Sequence, residues 1–268
     1  MLPKIILFSL FSLLLPVWGA TLSGMYDVSF SIFGKIGEAD VSLSRDKGRY
    51  HIHVDGYLTG LAAGIGNHRR EVHDSYGTLV DGVYRPERYT KVRTSDGRSD
   101  SVEYLFDHKS RSILKHRVKK YTRYEKHFDP STLGFVKTPE TVEVRSEETL
   151  PFYAANDLLS LFFNVRHFLE EIPRGGQNVQ HSVGALNDKG EVLISNPSGE
   201  KRRNLAKLMP DNQDRLITVV VDQDIFESDK GELYLNLDAD YLAAEAMLKD
   251  VLLFGDIRAK RVMLKKEE

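Results

Sequence analysis

Phe152 to Ile172 reads FYAANDLLSLFFNVRHFLEEI, and how this stretch winds decides how the rest of the chain is read. At about 100° per residue, Leu158, Leu161, Phe162, Val165, Phe168, Leu169 and Ile172 share one stripe, and Leu159 and Phe163 widen one flank. The spacing predicts a helix over about 155–171, buried on most of its circumference. Asn156, Ser160, Asn164, His167 and Glu171 form the narrow strip left for water, and Asp157 suits the positive end of the helix dipole.

Outward from this helix, short alternating runs dominate. Tyr26, Val28 and Phe30 share a strand face, and Ala39, Val41 and Leu43 resume the alternation after Gly34 and Gly37. Asp46-Lys47-Gly48 reads as a three-residue hairpin loop pairing Glu38–Arg45 with Arg49–Tyr57. Turn signals return at Asp81-Gly82, Ser95-Asp96-Gly97, Asn187 to Gly190, Asn196 to Gly199 and Ser228 to Gly231. Punctuation of this kind predicts a mainly β fold: an antiparallel curved sheet, or a partly open barrel or sandwich, of meandering hairpins around one buried helix.

Gly60 to Gly66 matches neither glycine-rich phosphate pattern and reads as a loop or bulge. Asp129 to Pro151, with three prolines, reads as a long connection into the helix. Tyr241 to Asp250 has helical propensity but is bordered by strand-like sequence, so both readings stand.

The 268 residues carry a net charge of −2, which gives no reason to expect nucleic acid as a partner. Lys4, the apolar run Ile5 to Trp18, then Gly19 and Ala20 form the layout of a signal peptide over 1–20. The run is shorter than the roughly 17–25 residues of a membrane span, so cleavage and a periplasmic destination are expected, with residues 21–268 as one β domain. No cysteine is present, so neither disulfides nor thiolate chemistry enter.

Several short pieces occur in a telling order: Tyr26-Asp27-Val28, Gly34 to Ala39, Ser75-Tyr76-Gly77, Tyr84-Arg85-Pro86, Phe106-Asp107, Asp157 to Ser160, and Leu252 to Ile257. In this order the chain resembles the exported bacterial proteins grouped as domain of unknown function three-one-zero-eight. The resemblance implies export and an antiparallel β fold, favours a strand at 241–250, and brings no catalytic residues with it.

Chemistry-bearing motifs are sparse. His51-x-His53 on a strand, with His73 as a third imidazole, is the nearest approach to a metal set, but zinc spacing is lacking and no metal or cofactor is expected. No nucleophilic serine motif occurs, and the paired acids are uninformative, so no catalytic residue is assigned. From His108 to Lys126 the chain turns basic, and Lys115, Arg117, Lys119, Lys120 and Arg123 read either as a solvated face or as contacts to anionic lipid. The helix flank at Leu159 and Phe163 is wider than one sheet face requires, so something apolar must cover it: Leu61 to Ile65, the tail strands or a ligand. The expected function is noncatalytic binding of a lipid or other hydrophobic ligand in the cell envelope. The alternative is a structural or protein-interaction module for envelope assembly, with an envelope protein as partner.

Overall fold

The first and last described strands of the chain are neighbours. In the computed structural model, which describes residues 21–31, 33–131, 133–185, 189–211, 215–220, 232–251 and 255–267, strand β1 (Thr21–Phe30) pairs antiparallel with β15 (Gly255–Glu267). The signal-like stretch 1–20, the turns at 186–188 and 228–231, and Leu252 to Phe254 lie outside the described residues.

From β1 the chain meanders outward through Gly34–Asp46 (β2), Arg49–Leu58 (β3), Arg70–Val80 (β4), Val83–Ser95 (β5), Arg98–Asp107 (β6), Ser112–Asp129 (β7) and Gly134–Thr149 (β8). It then crosses the sheet through Asn156–Asp157 (β9) and the helices Leu158–Phe163 (α2) and Val165–Glu171 (α3). A second meander returns through Gln177–Val183 (β10), Glu191–Ser195 (β11), Arg215–Val220 (β12), Glu232–Leu237 (β13) and Ala243–Val251 (β14) to β15. The result is one open 15-stranded sheet, ordered β8 through β1 and then β15 through β9, in which β9–β10 is the one parallel pair among the described strands. The mainly β, antiparallel fold is the one the alternation predicts, and Ala243–Val251 is a strand.

Local chemistry explains the turns and three departures from the sequence reading. Asp46 pairs with Arg49, so the first hairpin loop is two residues, not three. Lys47 and Gly48 sit at φ 48° and 75°, and Asp81 and Gly82 repeat this at 51° and 80°, the left-handed pairs whose twist suits tight hairpins. Gly60–Ile65 is a short helix (α1), not a loop. Gly134–Thr149 is a strand, not a connection: both faces of this edge strand meet water, so it carries charge throughout and shows no apolar alternation. A fourth helix, Gly199–Leu208 (α4), buries Leu205 and closes over Met209, Leu216 and Met247.

The largest correction concerns the central helix. It begins at Leu158, with Asp157 as cap, and breaks at Asn164 into α2 and α3. The first part of the expected water-facing strip turns inward, Asn156, Ser160 and Asn164 being buried, while His167 and Glu171 are exposed as the spacing predicts. Asn164 accepts from the Tyr84 amide at 2.8 Å through Oδ1, and its Nδ2 donates to Tyr84 O at 2.8 Å and Asn156 Oδ1 at 2.9 Å. These bonds satisfy backbone groups of β5 and fix the break. The apolar stripe is used as expected, Leu161, Val165 and Ile172 joining Val192, Ile194, Ile217 and Val219 in the core over the second meander. Over the first meander, Leu43, Tyr50, Ile52 and Tyr84 form a separate cluster that Leu159 and Phe163 touch.

Candidate functional site

Because α2 and α3 rest on apolar clusters to either side, the inner faces of the strands between those clusters decide whether the middle is filled. There the residues are small: Gly24 on β1, Ala39 on β2, Ala243 and Ala246 on β14, and Ala259 on β15 all line one cavity. Register places them side by side, with Tyr26 opposite Ala39, Gly24 opposite Val41 and Ala246 opposite Ala259. A cavity of about 250 Å³ remains between helix and sheet, roofed by Leu159, Phe162, Phe163 and Val165 and floored by Leu22, Val41, Val54 and Leu264. Leu233, Leu235, Leu237, Tyr241 and Leu242 close its far wall. Most of these side chains are half-buried, so the space communicates with solvent.

Polar groups gather at the Tyr241 end. The Tyr26 hydroxyl donates to Ala243 O at 2.7 Å, and burial pushes its pKa up. Arg261 pairs with Asp238 at 2.8 Å. Tyr241 carries the Arg215 guanidinium 4.6 Å and that of Arg166 5.6 Å from its ring centre. Arg166 also pairs with Glu170 at 2.9 Å and Arg215 donates to Asp238 O at 3.1 Å, so the chamber is apolar with a set of engaged arginines at one end.

Of the four residues proposed for an apolar groove, Leu159 and Phe163 line this cavity. Leu61 and Ile65 do not: α1 follows the end of β3, away from the central helix, and leaves them 89% and 86% exposed. The sequence reading missed the strand side of the cavity, whose signal is a set of glycine and alanine at inward positions of strands far apart in sequence.

The basic stretch is β7, between β6 and β8. Lys115 pairs with Glu148 at 2.6 Å, Lys120 with Glu143 at 2.9 Å, Arg123 with Glu140 at 2.8 Å, and Arg117 with Asp100. Lys119 lies beside Asp100 in the register. Neighbouring strands therefore neutralise most of this charge, and the stretch presents no block of unpaired cations at these positions.

His51 and His53 do share a face, but their companion is Asp74, not His73. His51 Nε2 and His53 Nδ1 approach Asp74 Oδ1 at 2.7 and 2.8 Å, and the three groups lie within 4.8 Å of one another, a spacing open to a cation. A carboxylate bridging two imidazoles accounts for their approach. His73 is on the opposite face of β4, bonded to Tyr89 at 2.6 Å and Glu71 at 2.9 Å. Beneath the helix start, Ser75 Oγ links the Tyr50 hydroxyl, at 3.0 Å, to Asp157, at 2.5 Å, and burial pushes the Asp157 carboxyl up to about 6.

No curated protein and no solved structure matches the chain. Residues 25–174, more than half of its length, match the family model described as protein of unknown function (DUF3108), and the chain belongs to that family.

Proposed function

We propose that this is an exported, noncatalytic periplasmic protein that binds a lipid or other hydrophobic ligand in the cell envelope. The observation that supports it is the apolar cavity of about 250 Å³ under α2 and α3, just short of the roughly 300 Å³ at which ordinary ligand sites begin. That volume suits one slender chain better than a fused ring system. The walls offer almost no hydrogen-bonding group, so selectivity comes from shape, with Arg215 over the Tyr241 ring as the cation nearest to an anionic head on an acyl tail. Export rests on the short apolar run Ile5 to Trp18; among the described residues no helix is long and apolar enough to cross a membrane.

Native mass spectrometry of protein purified from the periplasm tests this reading. Copurifying fatty acid or phospholipid, released on denaturation, supports it. A homogeneous ligand-free mass that takes up no added lipid returns the protein to the structural-module reading.

A further inference from the structure

The β7–β8 ribbon does something the rest of the sheet does not. Its partner β6 stops pairing at Arg98 opposite Tyr121, whereas β7 and β8 continue together to Asp129 opposite Gly134. At about 3.4 Å per residue, the two strands project alone by about 25 Å. An isolated ribbon gains little by burial, yet its end is apolar: Phe128, Leu133 and Phe135 are 52%, 80% and 75% exposed. Phe128 and Phe135 meet edge to face across the strands, ring centres 5.8 Å apart.

One step back on the same face, Lys126 stands directly opposite Lys137. Like charges in this position repel, and neither lysine has a partner among the described residues. Of the nearby acids, Glu125 and Glu140 are engaged elsewhere, both holding Arg123, and Asp129 adjoins the turn. Two unpaired cations therefore sit about 7 Å behind two exposed rings. That separation matches the distance between lipid headgroup charge and the top of the acyl region, into which interfacial apolar side chains sink by about 5–10 Å.

We propose that the tip of the β7–β8 hairpin docks the protein on an anionic lipid bilayer, Phe128, Leu133 and Phe135 entering the interface and Lys126 and Lys137 meeting headgroup phosphates. Two unpaired lysines set one step behind the exposed rings suit a layered surface, anionic outside and apolar within, which favours a bilayer over a protein. The cations that act are the two at the tip, not the paired ones further back on β7. This inference stands apart from the cavity: ligand uptake can fail while docking persists, and the reverse.

Cosedimentation of the exported protein with vesicles tests it, using phosphatidylcholine alone and phosphatidylcholine mixed with phosphatidylglycerol in about 0.1 M salt. The native protein binds the mixed vesicles preferentially. Lys126→Glu with Lys137→Glu weakens that binding at least about tenfold, as does Phe128→Ser with Phe135→Ser. Lys119→Glu with Lys120→Glu makes the same change in net charge about 24 Å from the tip, beyond the screening length, and weakens it less than about threefold. All variants keep the native melting temperature within a few degrees, because these side chains lie outside the core. The proposal is overturned if the native protein ignores mixed vesicles, if the tip variants bind as well as the Lys119/Lys120 variant, or if tip changes dissolve a self-associated form and leave vesicle binding unaltered.

Discussion

Ser75 Oγ donates to Asp157 Oδ2 at 2.5 Å, so a strand of the first meander holds the cap of the central helix. Asp157 Oδ1 meanwhile accepts from the Ser160 amide at 2.9 Å, and Ser160 Oγ accepts from the Asp157 amide at 2.9 Å, closing a reciprocal cap. All three residues are fully buried. Through this one carboxyl the placement of α2, and with it the roof of the cavity, is tied to β4.

Burial holds the Asp157 pKa at about 6, above its ordinary value of 3.8, so the folded state holds this proton more tightly than the unfolded chain. The resulting stabilisation is complete below pH about 4 and lost as pH rises through about 6. Asp157→Asn removes this dependence and leaves an amide able to accept from the Ser160 N–H and donate to Ser75. Urea titrations should show the variant gaining on the native protein by about 2 kcal/mol between pH 4 and pH 7. A constant difference across that range contradicts the assignment.

Glu71 has the opposite sign. Burial raises its pKa, but hydrogen bonds and charge from His73, Lys91 and Arg93 outweigh this and hold it well below the usual carboxylate range. Its contribution is present above pH about 4.5 and lost on acidification, so Glu71→Gln should flatten the acid limb of the stability profile in the same titrations.

Asn164→Ala should destabilise by about 3 kcal/mol, because it strands the Tyr84 amide and carbonyl in a buried site. Asn164→Asp is informative beside it, since it keeps the acceptor and loses the donor; equilibrium unfolding should rank both well below native. Indifference to either change would mean that the break between α2 and α3 is not held by this side chain.

Leu161→Ala, at a fully buried site, should cost about 2–5 kcal/mol. Phe162→Ala should cost less than its place on the stripe implies, since Phe162 is half-buried at the cavity roof, and its main effect should fall on binding of a hydrophobic fluorophore. Thermal melts and fluorescence titrations of both variants separate the two roles.

Periodicity was enough to find the central helix face and the meander, because burial of Leu161, Val165 and Ile172 and the left-handed turns at Gly48 and Gly82 depend on local pattern. It failed on the polar side of the helix. A strip of Asn156, Ser160 and Asn164 looks the same whether it meets water or the unpaired backbone of a distant strand, and only Tyr84 decides between them. It also failed on β8, where alternation is absent because no face is buried. For the cavity, the wide flank at Leu159 and Phe163 was legible, but the small residues opposite it, from Gly24 to Ala259, come together only through the closure of β1 on β15.

The most direct test of ligand binding fills the cavity and leaves everything else in place. Ala246→Leu with Ala259→Leu adds methylenes to two facing, inward positions without new polarity. The measurement is binding of a hydrophobic fluorophore and its displacement by fatty acid or phospholipid, read beside a thermal melt. The account predicts that the native protein binds the probe and releases it to lipid, while the filled variant melts at or above the native temperature and binds at least about tenfold more weakly, a loss of about 1.4 kcal/mol. A filled variant that stays folded and binds probe and lipid as the native protein does would contradict it.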